Sequence, residues 1–373
     1  MHAGAVADDH AHRSGPGEPV RAGARVPVLA DVARLAGVSS QTVSRVVNGA
    51  PHISPQTRGR VEQAIERLGY RPNTAARALV RGRTGLIGVI ATSATYFGPT
   101  SILRTIEDAA RAEHLFVTSV NLPTLTRDLL DESVEHFMRL LVEGIVIIAG
   151  QDEAVEVARH RRASVPLVLV EGDLSRAAWS VGVDQSAGAR LATEHLLNLG
   201  HREIVHLAGP LDWSEARARR DGWRAAMVAA GLRPLEPIPG DWSLARGYAA
   251  REEVLASGAT AVFAANDQLA LGLLCALDEA GRAVPDDLSV VGFDDQPEAA
   301  YAIPPLTTIR QDFASVGRRA VATLRRAIAG EPGLPQSLIQ PELVVRGSTA
   351  RLGSRRDSHA WPSTSQPTHS RPS

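Results

Sequence analysis

From residue 86 onward the chain alternates short apolar runs with longer stretches of helical periodicity, and few folds accommodate that alternation. Residues 86–90, 115–120, 144–149 and 166–170 are mostly apolar runs of five or six residues, which read as strands. Between them, 101–113 and 131–142 carry apolar side chains at helical spacing. After Asp184 a second series begins, with helices over 187–199, 215–230, 245–257 and 268–280 and strands over 204–208, 261–264 and 289–293. A last short strand falls around 343–345. Strands that are apolar along their length need cover on both faces, so this alternation predicts parallel sheets sandwiched between helix layers. Two such series predict two α/β lobes. A chain of 373 residues is long enough for both lobes and a small further domain.

That further domain precedes the lobes, over 26–72. Leu29, Val32, Ala33 and Ala36 share one helical face, and Gly37 closes that helix. Ser39 is placed to cap a second helix, on which Val43, Val46 and Val47 point one way and Ser40, Gln41, Ser44, Arg45 and Asn48 the other. A third starts with Ser54 as cap and Pro55 at the first helical position, carries Val61, Ile65 and Leu68 on its apolar face, and ends at Gly69. Two helices joined by a Gly-containing turn, the second polar on its outer face, make the helix-turn-helix pattern. A plain three-helix bundle with solvated polar faces has the same spacing. On the polar face Gln41 can bond adenine and Arg45 guanine, each with two hydrogen bonds, and Ser40 stands beside them. Ser44, Asn48, His52, Thr57 and Asn73 suit phosphate contacts, which position a protein on DNA without reading its sequence. Residues 73–85 read as a short helix, marginal on its own, and a linker.

Charge points the same way. Over 26–83 nine Arg oppose three acids, whereas 84–373 hold 28 Arg and 35 acids, and no Lys occurs anywhere. A basic head on a mildly acidic body predicts that one end meets a polyanion. No run of about 18 apolar residues occurs, which argues against a membrane span. Residues 1–25 read as a disordered tail without the apolar stretch of an export signal, and 351–373 as another tail, so a cytoplasmic location is expected. Cys275 is the sole cysteine, and its apolar neighbours predict that it packs as a small hydrophobe.

The motifs of the head resemble one family closely. Asp31-Val32-Ala33, Ala36-Gly37-Val38-Ser39 and the run from Gln41 to Asn48 match the head of the lactose/galactose repressor family of bacterial transcription regulators. The match continues through Ser54, Thr57-Arg58, Gly69-Tyr70, Pro72-Asn73 and Leu79. The resemblance implies that Ser40 and Gln41 select the operator, that Arg45 reads a base, and that Leu79, with Ala76 near it, wedges into the minor groove and kinks the duplex. One departure is that Pro27 and Val28 stand where the family usually has a capping Thr or Ser, so one cap and one phosphate contact are expected to be lost.

Further motifs extend the resemblance to about Thr349. They include Val183-Asp184, Leu199-Gly200-His201, Leu207-Ala208-Gly209-Pro210, Ala265-Asn266-Asp267, Val291-Gly292-Phe293-Asp294-Asp295 and Pro305-Leu306-Thr307-Thr308-Ile309. The implied fold is a small all-α helix-turn-helix head plus an α/β periplasmic-binding-protein-like core of two doubly wound parallel-sheet lobes. One lobe would hold 86–184 and 312–341, the other 185–311 and 342–350, with a ligand in the cleft between them. Gly240-Asp241-Trp242-Ser243 and Gln311-Asp312-Phe313 stand nearest the lactose branch of the family. Sugar recognition needs planar polar groups for hydroxyls and aromatic faces for C–H surfaces. By resemblance Arg219, Asn266 and Asp294 would hold hydroxyls and Trp242 would stack, with Phe313 a second aromatic and Ser93, Phe97 and Pro99 across the cleft.

Several structural alternatives share these residues. Arg219 can pair with Glu215 one helical turn away, Asp267 suits an N-cap, and Trp242 can be plain core. Asp212, Trp213 and Glu215 differ from the lactose branch, so the sugar need not be its sugar. The expected function is a transcriptional repressor whose affinity for a pseudo-palindromic operator is controlled by a small ligand, a sugar such as a galactoside. A homodimer is expected, with no metal and no cofactor. A corepressor-dependent regulator and a periplasmic-type sugar-binding protein are the alternatives; the second has no use for a helix-turn-helix. An enzyme would need a nucleophile with its base, a phosphate loop or a metal cluster, and no such motif is found.

Overall fold

The structure, a computed structural model, describes residues 27–71, 83–92, 96–122, 126–151, 165–172, 179–332 and 338–353. Residues 1–26 and 354–373, most of the expected short helix and linker at 73–85, and the candidate site residues Asn73, Ala76, Leu79 and Ser93 lie outside these. The chain divides into two units, Met1–Gly82 and Arg83–Ser373.

In the first unit α1 (Leu29–Ala36), α2 (Ser40–Val47) and α3 (Pro55–Leu68) pack around Val32, Ala36, Val43, Val46, Val61 and Ala64, closed by Tyr70. The caps are local and readable. Gly37 ends α1 in the left-handed conformation, the Ser39 hydroxyl accepts the Thr42 N–H at 3.1 Å, and the Ser54 hydroxyl accepts that of Thr57 at 3.2 Å. At the start of α1 the missing hydroxyl is replaced in part, because Asp31 reaches back to the Val28 N–H at 3.0 Å. This is the reverse half of a capping box.

The second unit holds two sheets. The first runs β10-β5-β4-β3-β1-β2, built from β1 (Leu86–Thr92), β2 (Phe116–Leu122), β3 (Gly144–Ile148), β4 (Leu167–Val170), β5 (Ser180–Val183) and β10 (Leu338–Ile339), all pairs parallel. The second runs β11-β9-β8-β7-β6, built from β6 (Ile204–Leu207), β7 (Ala261–Ala264), β8 (Ser289–Asp294), β9 (Thr307–Arg310) and β11 (Glu342–Val344), with β11 antiparallel. Alternate residues of one strand enter different cores. Val146 and Ile148 pack with α4 (Phe97–Ala112), while Ile145 and Ile147 pack with α5 (Arg127–Arg139). That double burial is why these strands read as continuous apolar runs.

The chain passes between the sheets three times, from β5 into α6 (Gln185–Asn198), from β9 into α11 (Phe313–Ile328), and from β10 into β11. The remaining helices, α7 (Ser214–Ala229), α8 (Leu244–Ala249), α9 (Arg251–Ala256) and α10 (Asp267–Glu279), cover the second sheet. No helix among the described residues is long and apolar enough to cross a membrane.

The structure corrects several expectations. The helix expected over 245–257 is two short helices meeting at Ala250. Strands β5, β9 and β10 and the sixteen-residue α11 were not anticipated as elements. Cys275 is exposed, because it stands on the face of α10 turned away from Leu273, Leu274 and Leu277. Asp267 is not the cap of α10. Asn266 is, its Oδ1 accepting the Leu269 N–H at 2.9 Å, while buried Asp267 accepts the Gln296 N–H at 2.7 Å and the Thr308 hydroxyl at 2.6 Å.

Candidate functional sites

On the head, α2 turns Ser40, Gln41 and Arg45 to solvent, while Val43 and Val46 hold it to the core. Ser44 is half-buried, and Asn48 folds back onto it, its Nδ2 donating to the Ser44 carbonyl at 2.8 Å. Exposed His52 takes φ 67° in the turn before α3, and half-buried Thr57 is the capping partner of Ser54. The helix therefore presents to solvent the three polar side chains expected to read bases.

In the second unit the lobes close over a cleft at the carboxyl ends of β3, β4, β7 and β8, the place where open α/β sheets bind ligands. It leaves about 580 Å³ of empty space, solvent at its mouth included. Phe97, Pro99, Arg219, Trp242, Asn266, Asp294 and Phe313, seven residues singled out from the sequence, all line it. The other linings include Tyr96, Glu171, Gln185, Trp213, Glu215 and Gln311.

The floor is a buried polar chain. Arg219, on α7, donates Nε–H to Gln185 Oε1 at 2.9 Å and a guanidinium N–H to the Ala265 carbonyl at 2.5 Å. Its other terminal nitrogen lies 3.7 Å from Asp294 Oδ1, and its carbon sits 3.8 Å above the Phe293 ring centroid. Those are its partners in place of a pair with Glu215 on its own helix. Gln311 donates to Asp294 Oδ1 at 2.7 Å, and Gln185 donates to Gln311 at 2.8 Å and to Glu171 Oε2 at 3.2 Å. Gln185 stands just after the first crossing between lobes and Gln311 in the second. The chain Asp294–Gln311–Gln185–Glu171 therefore joins a strand end of one lobe to a strand end of the other.

Burial sets the electrostatics. It pushes the Asp294 carboxyl up to about 6 against the pull of Arg219, and Glu171 up to about 8 with help from the neighbouring Glu215 charge. It also raises Asp267, with the Asp294 charge adding to the effect, and lowers Arg219. Outside the cleft, His206 is pushed down to about 4 by the same cause, stacked on Phe263 and hydrogen-bonded to its carbonyl.

The mouth is aromatic. Tyr96, Trp213 and Trp242 meet edge to face at 5.9 and 6.0 Å between centroids. The Tyr96 hydroxyl donates to the Asp241 carbonyl at 3.4 Å, and the Ser214 N–H donates to the Gly150 carbonyl at 2.9 Å, so the lobes touch on both sides of the opening. Trp242 is at once core and wall. It is 6% exposed, and its indole lies over Gly209, where a Cβ would overlap the ring. Past the mouth a groove continues along Thr100, Ser243, Gln268 and Gln296.

Glu171, Trp242 and Asp294 take φ of 66°, 71° and 115°, a region that costs a side-chain-bearing residue on the order of 1–3 kcal/mol. Such strain persists where surrounding contacts over-determine it, and these three residues line one cavity. Sequence reasoning did not name Glu171, Gln185 or Gln311 as ligand residues. Glu171 directly follows an apolar strand, as Asp294 does, and that rule finds it. The glutamines follow β5 and β9, whose short runs hid them.

Two family models match. That of the bacterial regulatory proteins, lacI family, matches residues 28–73, and the periplasmic binding protein-like domain matches 193–349. The lactose operon repressor of Escherichia coli (strain K12) is 36% identical over 338 residues, 88% of this chain and 93% of that protein. The HTH-type transcriptional regulator CelR of Thermobifida fusca is 34% identical over 340 residues, 87% of this chain and 98% of that protein. Among solved structures, the lac repressor dimer bound to operator and the anti-inducer ONPF superposes with a TM-score of 0.82 at 35% identity, covering 87% of this chain and all of that one. A complex of CelR with cellobiose gives 0.63 at 31% identity, covering 86% and 99%.

Proposed function

The chain belongs to the lacI family of bacterial regulatory proteins, and from that premise we propose that it is a transcriptional repressor whose grip on its operator is set by a sugar in the sensor cleft. The observation that carries this is the convergence of Arg219, Asn266 and Asp294 beside Trp242, with Phe97 and Phe313 facing them, in a cleft at strand ends. Planar polar groups for hydroxyls beside an aromatic face form the chemistry of a saccharide site. The relatives named for lactose, and the one solved with cellobiose, support a sugar. The groove past Trp242 leaves room for a second ring, so a galactoside or another disaccharide is the first ligand to test.

On the operator Gln41 and Arg45 read bases with Ser40 beside them. Ser44, Asn48, His52, Thr57 and Asn73 hold phosphates. Ala76 and Leu79 enter the minor groove. A homodimer presents two such heads to a two-fold operator. The sugar competes with that state by binding better to another arrangement of the lobes, and without such a difference nothing shifts. The glutamine chain spanning two of the crossings is the element such a change would rearrange.

The test is fluorescence anisotropy of a labelled palindromic operator from beside the gene, titrated with the protein with and without a panel of sugars. Release by one sugar is the expected result. Tightening would make the ligand a corepressor. Tight DNA binding indifferent to every sugar would overturn the assignment of the cleft.

A further inference from the structure

Two glutamates of the cleft have no counterion of their own. Glu171, at the end of β4, and Glu215, in the first turn of α7, are 8% and 7% exposed. They lie close enough for the charge of one to bear on the other. Glu215 is held in place. Its Oε1 accepts the Gly172 N–H at 3.0 Å and its Oε2 the Ser214 hydroxyl at 3.3 Å, and at Gly150 a Cβ would overlap its carboxylate. Glu171 is held through Gln185 on Oε2 and by the Val183 backbone N–H. Its Oε1 is buried and has no hydrogen-bond partner, and the residue is part of the cavity wall.

The cation of the described cavity wall is Arg219, and it is already committed to Gln185, Ala265, Asp294 and the Phe293 ring. The wall thus carries three carboxylates, Glu171, Glu215 and Asp294, for one guanidinium. Arg219 acts on both glutamates but is shared with Asp294, so a neutral sugar adds no charge to offset the pair, and burial already favours a proton on Glu171. A cationic group on the ligand would supply charge-assisted hydrogen bonds to the unpartnered carboxylate oxygen. The aromatic edge of the same cavity, Trp213 and Trp242, also favours a cation.

We propose that the effector is a sugar bearing a protonated amine, its ammonium seated between Glu171 and Glu215. This rests on the reading of the cleft as the sugar site. The chemical rival is a proton held on Glu171 and donated to a neutral hydroxyl, which would favour an ordinary sugar.

The experiment is calorimetric titration of the full-length protein with matched pairs: galactose and galactosamine, glucose and glucosamine, cellobiose and the β-1,4 glucosamine disaccharide. The N-acetylated forms serve as uncharged controls. The amino member of at least one pair is expected to bind about tenfold tighter or better than its hydroxyl counterpart, with the gain lost on N-acetylation. Glu215→Gln and Glu171→Gln should each narrow that gap. Neutral members binding as tightly as the amino ones, or a gap that both variants leave intact, would overturn the proposal. Operator release in the same samples separates the two readings. If neutral sugars release DNA and amino sugars do not, the repressor stands and the amine falls. If no saccharide of either kind binds, the sugar site itself falls and the amine with it.

Discussion

Ser40, Gln41 and Arg45 stand on a single eight-residue helix, in water, with ordinary backbone angles, their orientation set by a serine cap and two buried valines. Arg219, Asn266 and Asp294 come from three separate elements, are nearly fully buried, and sit among residues with strained backbone. Both groups are proposed as recognition surfaces. The first can be changed with little effect on folding, because its side chains contribute almost nothing to the core. The second shares its hydrogen bonds with the joint between two lobes, so recognition and stability there draw on the same contacts. The difference teaches that side chains on an exposed helix face can be replaced without disturbing the core, while those in the buried cleft cannot be replaced without disturbing the joint between the lobes.

The largest effect is expected at Arg219. Arg219→Ala leaves Asp294 buried beside Gln311 with no cation, and it should destabilise the sensor by about 3–5 kcal/mol in urea unfolding. A loss below about 1 kcal/mol would break the contrast, since it would make the floor as expendable as the head.

Glu171→Gln sharpens the contrast through pH. A carboxyl raised to about 8 by burial binds its proton more tightly folded than unfolded. The native protein therefore loses stability as pH rises from about 4.5 towards 8, and glutamine, which cannot ionise, escapes that loss. The variant should match the parent near pH 4.5 and gain on it upward, with a slope approaching about 1.4 kcal/mol per pH unit. Melting curves across that range that stay parallel would refute it.

In the head, Arg45→Ala should cost about 1–3 kcal/mol of operator affinity, measured by anisotropy, while the melting temperature stays put. A matching loss of stability would show that the reading face is structural after all. Ser39→Ala removes a cap and should lower the stability of the head by about 1 kcal/mol. Calorimetry that detects no change would mean that the Ser39–Thr42 contact contributes nothing there.

How far the sequence carried depended on range. Caps, turns and apolar faces of the head involve neighbours three or four residues apart, so Ser39, Ser54 and Gly37 announced themselves. Strands β1 and β3 of the first lobe are equally legible, because burial on both faces leaves a nearly unbroken apolar run. The four-residue β5 and β9 were too short to stand out, and with them went the glutamines that follow each. Cys275 departs from its expected burial because apolar neighbours in sequence are not neighbours in space: a helix turns each residue by about 100°, and Cys275 faces outward.

By itself the sequence determined the α/β alternation and the polar face of α2, because hydrophobic periodicity and capping act over a few residues, while the side chains expected to meet a sugar follow from the resemblance to the family. The tertiary structure decided what those side chains are free to do. It tied Arg219 to Gln185 and Phe293, took Asn266 as a helix cap, and brought Glu171 to Glu215 across the cleft with one oxygen unpartnered. Such partnerships join residues far apart in the chain, and burial sets their strength, so they exist only once the lobes have closed.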